Sequence, residues 1–147
     1  MYSLYDGQNV YFSYDLIRGE GARLKTMGGR ASGPQPLIKL HDFIREIMHN
    51  AQGRKLTALE AHDICNQIAE IVVVGGVRRS SQISLSDLDD EEMRHAKDWP
   101  YPIKRAMANN SAIYRAQPSA AEFLKEWASL ALSGTGERGI FNLEAAQ

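Results

Sequence analysis

The apolar positions along the chain alternate between two periods. Leu37, Leu40, His41, Ile44, Ile47, Met48 and Ala51 recur at steps of three and four, one face of a 3.6-residue repeat. That spacing predicts a helix with Pro36 in its first turn, where no amide donor is needed, and Gly53 beyond its last periodic residue. A second helix is expected from Thr57, whose hydroxyl can cap while Glu60 reaches back. Its expected inward face is Ala61, Ile64, Cys65, Ile68, Ile71 and Val72. The β-branched run Ile71-Val72-Val73-Val74 favours strand, so this helix ends near there, before Gly75-Gly76.

The remaining segments are shorter. Residues 1–17 read as extended, because Tyr2, Tyr5, Tyr11, Phe12 and Tyr14 favour strands and Asp6-Gly7 signals a turn. Arg18 to Gly33 is glycine-rich and reads as a loop. Ser81 to Leu85 alternates as a half-buried strand does. Ser86 or Asp87 is expected to cap a third helix, with Asp89, Asp90, Glu91 and Glu92 in its positive first turn. Trp99-Pro100-Tyr101-Pro102 breaks it. Asn109 to Tyr114 reads as a strand. Ser119 and Glu122 form a second capping box, opening a helix with Phe123, Leu124, Trp127 and Leu130 inside and Gly134 and Gly136 at its end. Gly139 to Asn142 closes the list of strands. Helices alternating with short strands predict an α/β fold.

Composition narrows the class. The 147 residues fit about one domain, and 44% apolar with 24% charged residues suits a soluble globular protein. A single cysteine excludes an internal disulfide framework and a four-thiolate zinc site, and fits a reduced, cytoplasmic compartment. A net charge of −1 removes the argument for non-specific attraction to nucleic acid or anionic membranes. The longest near-apolar run, Ile68 to Val77, contains Glu70 and falls short of the ~20 residues of a bilayer span. Met1 to Tyr14 lacks the basic-then-apolar pattern of a leader.

Two glycine loops are the candidates for chemistry. Gly28-Gly29-Arg30-Ala31-Ser32-Gly33 lies just before the helix near Pro36, where backbone amides and one Arg could cradle a phosphate or merely connect elements. It matches neither G-x-x-x-x-G-K-[ST] nor a strand-led G-x-G-x-x-G. Gly75-Gly76-Val77-Arg78-Arg79-Ser80-Ser81 sets two repelling guanidiniums side by side. An anion could neutralise them, or one could be solvated while the other pairs with the acidic cluster after Ser86. The other polar residues read as structural. His41 lies on an apolar helix face as a satisfied histidine. His49, His62 and His95 lack metal-ligand spacing. Asp89 to Glu92 lacks the oxygen spacing of a calcium loop, and Cys65 reads as a small buried hydrophobe.

Several stretches resemble the ribonucleotide reductases that use adenosylcobalamin, most closely the monomeric members. They are Arg23 to Pro34, Gly53-Arg54-Lys55-Leu56-Thr57, Asp63-Ile64-Cys65-Asn66, Val72 to Ser80, Asp89-Asp90, Asn109-Asn110-Ser111 and Gly136 to Asn142, in the family's order. The resemblance covers about Tyr14 to Asn142. It implies residues 1–147 as a partial segment from the first half of a ten-stranded α/β barrel, with specificity loops near 26–34 and 75–81. In that family cobalamin homolysis generates a thiyl radical on a finger-loop cysteine. That radical abstracts the ribose 3′ hydrogen, and a cysteine pair then reduces the 2′ carbon with help from an Asn and a Glu.

By position, Gly28, Gly29, Arg30, Ser32 and Gly33 match the first specificity loop, near the allosteric deoxynucleotide. Gly75, Gly76, Val77, Arg78, Arg79 and Ser80 match the second, between effector and substrate base, with Arg78 where the family reaches toward substrate. The Asn-Pro-Cys-Gly-Glu stretch of the thiyl cysteine, the reducing pair and the Asn and Glu helpers are absent, so no catalytic residue is expected here. The implied partners are a ribonucleotide, leaning toward triphosphates, a deoxynucleotide effector, a thioredoxin-type reductant and the remaining piece of the reductase. Adenosylcobalamin is expected to bind mainly outside this segment. The competing reading is a stand-alone nucleotide-binding or regulatory module.

Overall fold

A computed structural model describes residues 1–25, 28–74, 77–78 and 81–146, with the backbone alone described at 73, 74, 77 and 78. The chain forms two compact units, Met1–Ser80 and Ser81–Gln147. No helix among the described residues is long and apolar enough to cross a membrane.

The first unit is built on two helices, α2 (Gln35–Asn50) and α3 (Ala58–Ile71), preceded by a single turn, α1 (Tyr2–Tyr5). Leu40, Ile44 and Met48 of α2 form its core with Leu4 and Ile64. The helical repeat of α2 and the proline in its first turn thus fold as the pattern predicts. The extended reading of residues 1–17 fails at α1. Coiling Tyr2–Tyr5 into one turn brings Leu4 onto α2 with only 7% of its surface exposed, and that burial outweighs the strand preference of tyrosine. Tyr5 Oη donates to Arg54 O at 2.7 Å, and Arg45 Nη2 donates to Val10 O at 2.7 Å, pinning this segment to the α2–α3 connection and to α2. His41 is satisfied but half-buried. Its Nδ1 hydrogen-bonds Tyr14 Oη at 2.8 Å and its ring stacks on Phe12 at 3.9 Å.

Thr57 and Glu60 form the expected capping box, Glu60 N to Thr57 Oγ1 at 3.2 Å and Thr57 N to Glu60 Oε2 at 2.9 Å. The inward face of α3 differs in part from the expectation. His62, Asp63, Ile64, Asn66 and Ala69 are buried, whereas Ala61, Cys65, Ile68 and Val72 are exposed. Ile64 is in the core and Ile71 packs against it, as expected, while Asn66 is fully buried because its amide finds the His62 ring at 3.0 and 3.2 Å, so polar residues share the inside and Ala61, Cys65, Ile68 and Val72 face out. After α3, β1 (Val73–Val74) pairs antiparallel with β2 (Val77–Arg78). Val77 and Arg78, expected in a loop, are therefore strand.

The second unit is a three-stranded parallel sheet, β3 (Gln82–Ser86), β4 (Ala108–Tyr114) and β5 (Gly139–Asn142), in that order. Gln82 pairs with Ala108 and Ser86 with Ala112; Ser111 pairs with Gly139 and Tyr114 with Asn142. Parallel neighbours need crossovers. Here α4 (Glu91–Arg94) and a 3₁₀ turn (Ile103–Met107) join β3 to β4, and α5 (Ala120–Leu132) joins β4 to β5. The α/β expectation holds.

Two details of this unit, the cap of α4 and the buried face of α5, are corrected, and the half-buried strand β3 forms as expected. The cap of α4 is Asp90, whose carboxylate accepts Met93 N at 2.9 Å, because Ser86 is still in β3 and its hydroxyl serves Arg138. On β3 the covered residues are Gln82, Ser84 and Ser86, while Ile83 and Leu85 are exposed. On α5 the Ser119–Glu122 capping box forms, yet Phe123, Leu124 and Trp127 are exposed and Glu126 is the buried residue. The physical cause of the inversion on α5 is that two buried guanidiniums require a carboxylate between them.

Candidate functional site

The first glycine loop is a short hairpin. Ala31 N donates to Ala22 O at 2.8 Å, Gly21 N to Ala31 O at 2.9 Å and Leu24 N to Gly29 O at 3.0 Å. Gly28, Gly29 and Gly33 have φ of 57°, 139° and 74°, conformations that side-chain-bearing residues rarely adopt. Gly33 also answers a close approach, since a Cβ there would sit 3.1 Å from Glu20 N.

Arg23 and Arg30 are bridge partners in this hairpin, which puts both on one face of the ladder. Arg30 Nη1 donates to Gly21 O at 3.0 Å, and both residues are exposed. Two cations opposite each other repel by themselves and suit a shared anion. Sequence reasoning identified Arg30 and missed Arg23 as its counterpart, because the pairing follows from the hairpin register.

The hairpin leads through Ser32 and Gly33 into α2. A cleft of about 300 Å³ opens there, lined by Glu20 and Ser32, by Gln35 and Lys39 of α2, and by Gln67 and Glu70 of α3. Gln67 Nε2 donates to Glu70 Oε2 at 2.6 Å. The cleft offers amide and hydroxyl groups with both signs of charge, and its volume is at the lower end for small-molecule sites, about 300–1,000 Å³.

For the second loop, the structure gives Val77 and Arg78 in β2, with Val73 opposite Arg78 and Val74 opposite Val77. Gly75, Gly76, Arg79 and Ser80 lie outside the described residues. Among the described residues no group of three His, Cys, Asp or Glu side chains is placed to hold a metal ion.

In the second unit the buried charges hold the sheet to its helices. Glu126 Oε1 accepts from Arg94 Nε at 2.7 Å and from Arg138 Nη2 at 2.9 Å, while Arg138 Nη1 donates to Ser86 Oγ at 2.8 Å and Asp87 O at 3.0 Å. Burial pushes the Glu126 carboxyl up, but hydrogen bonds from Arg138 and Arg94 outweigh it and hold the group below the usual carboxylate range. Burial, aided by the Glu126 charge, raises the nearby Tyr114 phenol. Lys97 Nζ bonds Ala108 O and reaches Glu137 Oε1 at 2.7 Å, and Glu137 Oε2 accepts Asn110 N at 2.7 Å. None of these pairings was legible beforehand. The available signal was the polar row Ser119, Glu122, Glu126, Ser129 and Ser133 along one side of α5.

No family model matches the chain. The adenosylcobalamin-dependent ribonucleoside-triphosphate reductase of Lacticaseibacillus paracasei is 39% identical over 133 residues, covering 89% of this chain and 17% of that protein. The enzyme of the same name from Lactobacillus leichmannii is 36% identical over 147 residues, covering 95% and 19%. That from Euglena gracilis is 37% identical over 109 residues, covering 72% and 15%. A crystal structure of a B-12 dependent (class II) ribonucleotide reductase superposes with a TM-score of 0.69 at 34% identity, over 86% of this chain and 17% of that one. The chain spans less than a fifth of the length of each of these relatives.

Proposed function

We propose, from the premise that this chain is homologous to one segment of the adenosylcobalamin-dependent ribonucleotide reductases, that it supplies that enzyme's nucleotide-specificity loops. The segment belongs to the first half of a ten-stranded barrel. The complete reaction reduces ribonucleoside triphosphates to deoxyribonucleotides in the cytoplasm, for DNA synthesis.

The observation that carries the loop assignment is the opposition of Arg23 and Arg30 at the entrance to α2. A deoxynucleoside triphosphate is a multivalent anion that relieves their repulsion, and the adjoining cleft offers hydrogen-bonding groups to the rest of the effector. Gly28, Gly29, Arg30, Ser32 and Gly33 form the effector loop. Gly75, Gly76, Arg79 and Ser80, with Val77 and Arg78 of β2, are assigned to the segment toward substrate, Arg78 standing at the position of the family's substrate-directed arginine.

The chemistry lies elsewhere. The chain's one cysteine, Cys65, is exposed on α3 and cannot supply both a radical thiol and a reducing pair. Clefts of about 330, 360 and 300 Å³ are each smaller than a corrin ring with its nucleotide tail. Among the described residues these clefts do not fit adenosylcobalamin, which is held mainly by other parts of the reductase. A thioredoxin-type reductant and the remainder of the reductase complete the system.

The test is a graft. This chain replaces the matching segment of the L. leichmannii enzyme, and ribonucleoside triphosphate reduction is assayed beside the 147-residue chain alone. The graft is expected to turn over and the isolated chain to be inactive. A folded graft without activity, or turnover by the chain alone, overturns the reading.

A further inference from the structure

The outward side of α5 carries a regular apolar seam. Ala121, Leu124, Ala128 and Ala131 are all exposed and follow one another at steps of three, four and three. Trp127 and Leu132, at 56% and 86% exposure, flank that row. The row lies diametrically opposite Glu126 and Ser133, the residues by which α5 is buried in its own unit. One side of α5 thus serves the buried arginines, and the opposite side presents an exposed apolar row.

The seam has the geometry of helix–helix packing. A three-four alternation is the a/d repeat of a helical interface, and alanines at three of its four positions let a second backbone approach closely. Solitary exposed apolar residues need no explanation, whereas a contiguous row on one helix face marks an interaction surface. The occupant follows from length. This chain covers 17 to 19% of the reductases of L. paracasei and L. leichmannii, so most of a reductase-length polypeptide lies outside it.

We propose that the Ala121–Leu124–Ala128–Ala131 seam of α5 seats an amphipathic helix from the part of the reductase lying beyond this segment. The inference rests on the reductase reading above and adds the surface by which the segment joins the rest. Leu124 is the central knob of that contact, and Trp127 covers its margin.

A thiol at position 124 reads the contact directly. In a Cys65→Ser background, Leu124→Cys is labelled with a maleimide in the isolated chain and in the L. leichmannii graft, and Glu92→Cys on α4 serves as the exposed control. Labelling at position 124 is expected to be at least about tenfold slower in the graft, with the control labelled at similar rates in both. Equal rates at position 124 overturn the proposal. So does protection in the isolated chain that grows with its concentration, because the occupant is then a second copy. Reductase activity of the graft is scored separately. An active graft whose thiol at position 124 stays open sinks the docking surface alone, and an inactive graft whose thiol there is protected sinks the reductase reading alone. Ala128→Glu gives a second measurement that does not depend on a soluble graft. It should leave the isolated chain's Tm within about 2 °C, because the seam lies outside that chain's own core, and a larger fall contradicts the proposal.

Discussion

Arg23 and Arg30 face each other across an antiparallel bridge in the hairpin that precedes α2. Like charges so placed cost a few tenths of a kcal/mol, up to about 1. Arg23→Ala is therefore expected to leave the Tm of the free chain unchanged or slightly higher. The same variant should lose most of the Tm rise caused by a deoxynucleoside triphosphate, since ligand stabilisation scales with affinity. Thermal melts with and without the nucleotide check both signs. A variant that melts lower by itself yet keeps the full nucleotide response would show Arg23 to be structural.

Glu126 sits between two buried guanidiniums. Removing one member of such a set leaves uncompensated buried charge, so Glu126→Ala should lower stability by about 3–5 kcal/mol. Urea unfolding followed by circular dichroism measures it. A loss below about 1 kcal/mol would mean that the guanidiniums are solvated and the cluster contributes little.

Acid should weaken the protein through its paired carboxylates. Glu60 is held at about 2, first by the hydrogen bond from Arg54 and then by the Thr57 amide, and Glu126 is likewise held low. A carboxyl whose folded pKa lies below its unfolded value contributes stability that is present above the unfolded pKa and lost as pH falls through the folded one. The contribution of these carboxylates should thus be constant from neutral pH to about 5 and decline between about 4.5 and 2. Glu60→Gln should lower stability at pH 7 and shallow that decline. An unchanged acid slope in the variant would show that Glu60 takes no part in it.

Cys65 is exposed, contrary to the inward position that its helical spacing predicts. Native chain should react with a thiol reagent without denaturant, within about tenfold of the rate of unfolded chain. Reaction only after unfolding would restore the buried placement and with it the opposite face of α3.

Elements were more legible in the sequence than faces. Both capping boxes, the proline at the start of α2 and the β3, β4 and β5 segments follow from local rules that act within a few residues. The orientations of α3, α5 and β3 did not follow, because the pattern rule assumes that apolar rows turn inward. Asn66 finds His62 one helical turn away, a polar pairing that the rule does not weigh, while Glu126 finds Arg94 and Arg138 finds Ser86 over separations of 32 and 52 residues that no local window contains. The first loop was legible through its glycines, whereas its second arginine emerged only with the register of the hairpin.

Amide exchange with and without a deoxynucleoside triphosphate tests the assignment of the loops most directly. Nucleotide-dependent protection is expected to concentrate in residues 21–33 and 75–81 and the adjoining cleft of Gln35, Lys39, Gln67 and Glu70, and to be abolished in an Arg23→Ala/Arg30→Ala variant that remains folded. Exchange unaffected by millimolar nucleotide in both loops, or protection spread evenly over the chain, would contradict it.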